Sequence, residues 1–169
     1  MRKVITSKWI VVYTKPRHEK IVSKKLIQKN YQIYLPLIKQ RRKWSDRKKW
    51  VELPLFKSYL FVKTELNNTL PILKTKGIIK IVRFGESIAI VKDSSIRSIK
   101  LMLKGGYIPE ITDYFIKGDN VVVKDGPLKD IQGEVVRIDG KDRLIIRIDS
   151  IQHSLSIKIN RSFLNKYEN

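Results

Sequence analysis

The chain has 169 residues, 42% of them hydrophobic, no cysteine, and 36 lysines and arginines against 16 aspartates and glutamates, a formal net charge of +20. This composition suits a globular protein with one moderate core or two small ones, and it excludes disulfides, thiolate catalysis and cysteine-based zinc sites. No run approaches the roughly 20 apolar residues that span a bilayer, and Lys8, Lys15 and Arg17 interrupt or follow the apolar start, so a cytoplasmic protein with no export signal and no membrane partner is expected.

Trp9-Ile10-Val11-Val12-Tyr13 is a β-branched apolar run that predicts a strand buried on both faces, ended by Pro16. Over residues 17–30, His18, Val22 and Leu26 recur every four positions while Lys20, Lys24, Lys25 and Lys29 fill the other side, the pattern of an amphipathic helix with a basic face. Residues 31–37 and 54–63 read as strands flanking a basic segment. A short helix is expected over 69–75, where Pro71 suits a first turn and Gly77 a stop. Residues 78–84 and 87–91 predict a hairpin turning at Gly85-Glu86, and Asp93 or Ser94 suits the cap of a helix with Ile96, Ile99 and Leu103 on one face. Strands alternating with helices predict an α/β (α+β) first domain.

The charge is unevenly spread: residues 1–104 hold 26 basic against 6 acidic residues, whereas residues 105–169 hold 10 of each. The change coincides with Lys104-Gly105-Gly106-Tyr107-Ile108-Pro109-Glu110, which predicts a first domain over 1–104, a linker over 105–115 and a second domain over 116–169. The second domain reads as all-β, with turn signals at Asp125-Gly126-Pro127, Gly133 and Asp139-Gly140. Leu144, Ile146 and Ile148, then Leu155, Ile157 and Ile159, each line one apolar strand face. So few short strands predict a small barrel.

The two histidines, His18 and His153, lie far apart in the sequence and in no metal-ligand motif, and no phosphate-binding loop, nucleophile elbow or dinucleotide fingerprint is present, so neither catalysis nor a metal or cofactor is expected. The excess of cations favours a polyanion, foremost nucleic acid, bound with steep salt dependence. Residues 39–49 carry seven cations, Lys39, Arg41, Arg42, Lys43, Arg47, Lys48 and Lys49, against one acid, with Trp44 inside the segment and Trp50 beside it. Such a mixture neutralises phosphates and stacks on bases, or else forms a solvated hairpin tip whose tryptophans pack on their own strands. Lys15, Arg17, Lys20, Lys24 and Lys25 make a second basic patch that is either a binding surface or a solubilised helix face. Tyr13, Phe61 and Phe84 lie near strand ends, as core or as an apolar patch for a protein partner.

As a set, Trp9 to Tyr13, Pro54-Leu55-Phe56-Lys57-Ser58-Tyr59-Leu60-Phe61-Val62 and Gly77-Ile78-Ile79-Lys80-Ile81-Val82-Arg83-Phe84-Gly85 resemble the N-terminal domain of the NusG/RfaH family. Gly118-Asp119-Asn120-Val121-Val122-Val123-Lys124-Asp125-Gly126-Pro127-Leu128 with Ile131-Gln132-Gly133-Glu134-Val135-Val136 looks like a KOW motif. The resemblance implies a mainly antiparallel sheet flanked by helices, followed by an SH3-like KOW barrel, in a monomeric factor that binds RNA polymerase and suppresses pausing or termination. It places Tyr13, Phe61 and Phe84 on the clamp helices of the β′ subunit, and Lys15, Arg17, His18, Lys25, Thr75 and Lys76 on exposed non-template DNA. Upstream DNA and nascent RNA are further candidates for the basic surfaces. Asn67, Asn68 and Thr69 fall near a segment that in RfaH touches the β gate loop, without its threonine run. Ile151, Gln152 and His153 match the loop through which NusG recruits Rho or a ribosomal protein, Ile151 standing where NusG has an exposed phenylalanine. The heavy charge of the first domain makes the chain look most like specialised paralogs such as UpxY-type antiterminators of polysaccharide operons. A general NusG, and a KOW-type RNA-binding or ribosome-associated protein, are the alternatives.

Overall fold

Strand β1 (Lys8–Thr14) organises the first half of the chain because both of its faces are apolar: Ile10 and Val12 point one way, Trp9 and Val11 the other, and all four are buried. The computed structural model describes residues 6–43, 48–112, 118–138 and 140–166. They group into two compact units, Met1–Val91 and Lys92–Asn169.

In the first unit, β1 is followed by α1 (Glu19–Gln28), β2 (Gln32–Tyr34), β3 (Leu37–Lys43), β4 (Lys48–Pro54), β5 (Tyr59–Thr64), α2 (Leu70–Leu73), β6 (Ile78–Ile81), β7 (Arg83–Phe84), β8 (Ser87–Ile88) and β9 (Ile90–Val91). The main sheet runs β2-β5-β1-β6, with β9 also paired to β1, and these pairings are antiparallel. Val22 and Leu26 of α1 and Ile72 of α2 close one face by packing with Ile10, Val12, Leu60, Val62 and Ile81. Burying each such side chain is worth about 1.5–3 kcal/mol. The helix predicted over 17–30 is thus present but shorter, and its buried stripe begins at Glu19 rather than His18, which is the residue before the first turn.

Two expected strands divide between partners. The run 31–37 breaks at the buried Pro36, which lacks an N–H for a ladder, so β2 stays in the main sheet while β3 leaves to pair with β4 alone. The hairpin expected over 78–91 is reduced to Arg83↔Ile88 and Phe84↔Ser87, because β6 and β9 both return to β1 and the Val82 N–H donates to Val11 O at 2.9 Å.

The second unit contains α3 (Asp93–Lys104), β10 (Glu110–Thr112), β11 (Asp119–Val123), β12 (Gln132–Ile138), β13 (Lys141–Ile148), β14 (His153–Lys158) and β15 (Leu164–Lys166), with short 3-10 turns at Asp149–Ile151 and Arg161–Phe163. Lys92, not Asp93 or Ser94, is the cap of α3, and Asp93 instead places its charge in the first turn, where the helix dipole favours it. The strands form one six-stranded antiparallel sheet in the order β10-β14-β13-β12-β11-β15. β10 takes up part of the segment expected as linker by pairing Glu110–Thr112 with Ser156, Leu155 and Ser154. Val121, Val135, Leu144, Ile146, Ile148, Leu155 and Ile157 form its buried apolar face. Gly133 is no turn: it lies inside β12, where a Cβ would come 2.5 Å from Ile145 O.

Candidate interaction surfaces

The face of the N-terminal sheet turned away from α1 and α2 is aromatic. Registry puts Tyr13 opposite Tyr59, Val11 opposite Phe61, Trp9 opposite Lys63 and Tyr34 opposite Phe61. The Tyr13 and Tyr59 rings lie 5.1 Å apart at 56°, Phe61 stacks on Tyr34 at 6.2 Å and meets Phe56 edge-on at 5.9 Å. Lysines reach over the aromatic rings at both ends, Lys63 Nζ 5.8 Å from Trp9 and Lys80 Nζ 5.9 Å from Tyr13, within cation–π range. Burial pushes the Tyr34 phenol up, and burial followed by the neighbouring Tyr13 raises that of Tyr59.

The three aromatic positions implied by resemblance do not share one environment. Phe61 is completely buried, Tyr13 is half-buried, and Phe84 is 50% exposed at the small β7–β8 hairpin. Tyr59, which shares the Tyr13 environment, has no separate signal in the sequence: only the β1–β5 register reveals it.

Strands β3 and β4 form a two-stranded ribbon with the register Lys39↔Glu52, Gln40↔Val51, Arg41↔Trp50, Arg42↔Lys49 and Lys43↔Lys48. Its base is fastened by the Leu55 N–H donating to Pro36 O at 2.8 Å. Residues directly opposite share a face, so Lys39, Arg41, Lys43, Lys48, Trp50 and Glu52 lie on one side and Gln40, Arg42, Lys49 and Val51 on the other. The six described cations, Lys39, Arg41, Arg42, Lys43, Lys48 and Lys49, are all exposed, and none forms an ion pair with another described residue. Trp50 is 65% exposed. Trp44 and Arg47 lie outside the described residues.

Lys15, Arg17 and His18 form a tight turn between β1 and α1. Arg17 adopts φ +63°, the His18 N–H donates to Lys15 O at 3.1 Å, and the Lys15 N–H donates to Gly77 O at 2.9 Å. Gly77, at φ +107°, leaves no room for a side chain, since a Cβ would lie 2.9 Å from Val22 Cγ2 and 3.4 Å from His18 Cδ2. The Lys15–Gly77 bond brings exposed Lys15 close to exposed Lys76, and Arg17 in the same turn is exposed as well. Lys25 is half-buried on α1, and Thr75 is buried, its hydroxyl accepting from Lys29 Nζ at 2.9 Å, so Thr75 shapes the surface from beneath.

In the second unit, several charges on the sheet are paired. Arg147 holds Glu134 through two contacts, at 2.7 and 2.9 Å, Arg143 reaches Glu110 at 2.7 Å, and Lys166 reaches Asp119 at 2.9 Å. The Lys166 hydrogen bond, then its charge, holds Asp119 below the usual carboxylate range. At the loop before β14, Ile151 is buried, while Gln152 is exposed with φ +51° and His153 Nδ1 lies 2.6 Å from Ile151 O. Of these three side chains the exposed one, Gln152, is polar, and His153 is half-buried.

A rigid sheet that presents aromatic and cationic surfaces is the arrangement of a protein that works by contact. Residues 7–100 match the family model described as transcription termination factor NusG, more than half of the chain. The chain belongs to the NusG family, and it is accordingly a transcription factor and not an enzyme. Among solved structures it is similar to NusG of Thermotoga maritima, from a study of domain interaction in that protein, at 23% identity over 98% of this chain and 100% of that one, with a TM-score of 0.57; that likeness is one of fold. A chain of the MjSpt4:Spt5 complex aligns over 95% of this chain and 97% of that one at 18% identity, with a TM-score of 0.30. Among the described residues no helix is long and apolar enough to cross a membrane.

Proposed function

We propose that this NusG-family elongation factor is a specialised antiterminator of the RfaH/UpxY kind. Tyr13, Tyr59 and Phe84 dock on the β′ clamp helices of RNA polymerase, with Phe61 supporting the first two from inside the sheet. The turn of Lys15, Arg17 and His18, with Lys25 and Lys76, and the β3–β4 ribbon with Arg41, Arg42, Lys43, Trp44, Arg47, Lys48 and Lys49, contact non-template or upstream DNA. The strands of the second unit form an SH3-like KOW barrel that recruits a ribosomal protein through Gln152 and His153.

The observation that carries this reading is the ribbon. Arg42↔Lys49 and Lys43↔Lys48 are like charges directly opposite one another, an arrangement that costs stability until a polyanion arrives between or beside them. The test is pause read-through with purified polymerase. Tyr13→Ala and Phe84→Ala should abolish read-through while leaving the thermal transition near that of the parent, and unchanged read-through would remove the docking assignment. A second reading, a general factor, is favoured by the family description as a termination factor. It predicts stimulation of Rho-dependent termination by the full chain, which the specialist reading does not.

A further inference from the structure

The ribbon has two chemically different faces, and among the described residues only one carries an aromatic. On the first, Trp50 stands opposite Arg41, with Lys43 and Lys48 toward the tip and Lys39 and Glu52 toward the base. Lys39, Trp50 and Glu52, together with Val51, also line one shallow hollow. On the second, Arg42 and Lys49 stand beside Gln40 and Val51. A solvated hairpin tip needs charge but gains nothing from an indole that is 65% exposed in the middle of it.

We infer that the Trp50 face is a stacking site for an unpaired base of a single-stranded nucleic acid, with Arg41, Lys43 and Lys48 holding the flanking phosphates. The inference rests on the reading that the ribbon contacts nucleic acid, and it specifies which form. In a duplex each base is covered by its neighbours, and the edges left in the grooves are read by side chains with paired donors and acceptors. Indole has a single N–H donor and no acceptor, so Trp50 has little to read on an edge. An unpaired strand exposes base faces, and every base offers one, so stacking there tolerates any sequence. Cations on the same face as the indole suit a strand that lies along the ribbon with phosphates on either side of the stacked base. The opposite face, which has no aromatic among the described residues, supplies charge.

Stacking and charge leave different signatures in salt. Trp50→Ala in the full chain should weaken binding of a labelled single-stranded oligonucleotide of mixed sequence by about 5- to 100-fold at every salt concentration, with the slope of log affinity against log salt unchanged. Trp50→Phe should restore most of the loss. Arg41→Gln and Lys48→Gln should each flatten the slope by about 0.7, the value per phosphate for single strands. Binding of the matching blunt duplex, and of an abasic sugar–phosphate strand, should not respond to Trp50→Ala. DNA and RNA strands run in parallel show which is the source, since the natural ligand is the one whose affinity falls more. If Trp50→Ala leaves both strands unaffected while Arg41→Gln flattens the slope, the stacking site is refuted and the ribbon contact stands. If none of these variants changes binding, both fall.

Discussion

The carboxylate of Glu19 accepts the backbone N–H of Ser58 at 2.7 Å in the interior of the N-terminal unit. Glu19 opens α1, and Ser58, in the left-handed region at φ +64°, precedes β5. Ser58 O in turn accepts the Thr14 N–H at 2.8 Å. One corner thus joins the end of β1, the first turn of α1 and the start of β5, one residue from both Tyr13 and Tyr59. The pair at the proposed docking face is held in place by a buried acid and not by packing alone.

Removing that acid should be costly in a way that its isostere is not. Glu19→Ala leaves the Ser58 N–H buried without an acceptor, which costs about 1–3 kcal/mol, and the melting temperature of the unit should fall by about 4–8 °C per kcal/mol. Glu19→Gln keeps an oxygen at the same place and loses only the charge at the helix N-terminus, about 0.3–1 kcal/mol. Equal losses in the two variants, read by thermal denaturation, would show that the hydrogen bond is not what matters.

Phe61 and Phe84 separate stability from surface function. Phe61 is fully buried against Phe56 and Tyr34, so Phe61→Ala should cost about 3–5 kcal/mol in chemical denaturation. Phe84→Ala, at an exposed hairpin, should stay within about 0.5 kcal/mol of the parent. A loss of activity in Phe61→Ala therefore says nothing about direct contact, whereas a loss in Phe84→Ala does.

The strands are legible in the sequence wherever apolar character repeats with a period of two or fills a short run, as in Trp9 to Tyr13, Leu60 to Val62 and Leu144 to Ile148. Partners are not legible, because pairing is decided by residues distant in the chain. Nothing near Tyr59 announces that it faces Tyr13, and nothing near Trp50 announces Arg41 across from it; both follow from register. Charge runs were visible as surface, but the side each cation takes depends on where β3 begins, which Pro36 fixes. Resemblance implies Ile151 as a contact residue, yet its side chain is buried, His153 is half-buried and Gln152 holds the exposed position. A glycine signal is also ambiguous: Gly126 and Gly140 take positive φ in turns, whereas Gly133 is required by a neighbouring strand.

Gly133→Ala tests that last distinction. The added methyl would lie 2.5 Å from Ile145 O and 3.0 Å from Leu144 Cδ1, so β12 and β13 must separate locally. Backbone amides of β12 and β13 should exchange faster with solvent, while those of β1 and β5 in the other unit keep their protection. Uniform loss across both units, or none in β12, would contradict the local clash.

The ribbon should become more stable as it becomes a poorer ligand for polyanions. Lys49→Glu turns the repulsive Arg42↔Lys49 pair into an attractive one, worth about 0.2–1 kcal/mol for each sign of interaction. Amide exchange in β3 and β4 should slow, up to roughly thirtyfold, while affinity for an oligonucleotide drops and its salt slope flattens. Slower exchange with unchanged affinity would mean that the second face of the ribbon takes no part in binding.

Alkaline pH should act on the aromatic face through Tyr34 and Tyr59, whose phenols burial pushes above the ordinary range. A phenol that resists ionisation when folded loses its proton first in the unfolded chain, at pH about 10. The unfolded state then binds fewer protons than the folded one, so stability falls with rising pH. The contribution is complete below pH about 10 and is lost as pH climbs toward the folded values. Comparison with Tyr34→Phe and Tyr59→Phe isolates the phenols: both variants should show a shallower alkaline decline in urea denaturation than the parent. An identical decline in all three proteins would place the pH dependence elsewhere.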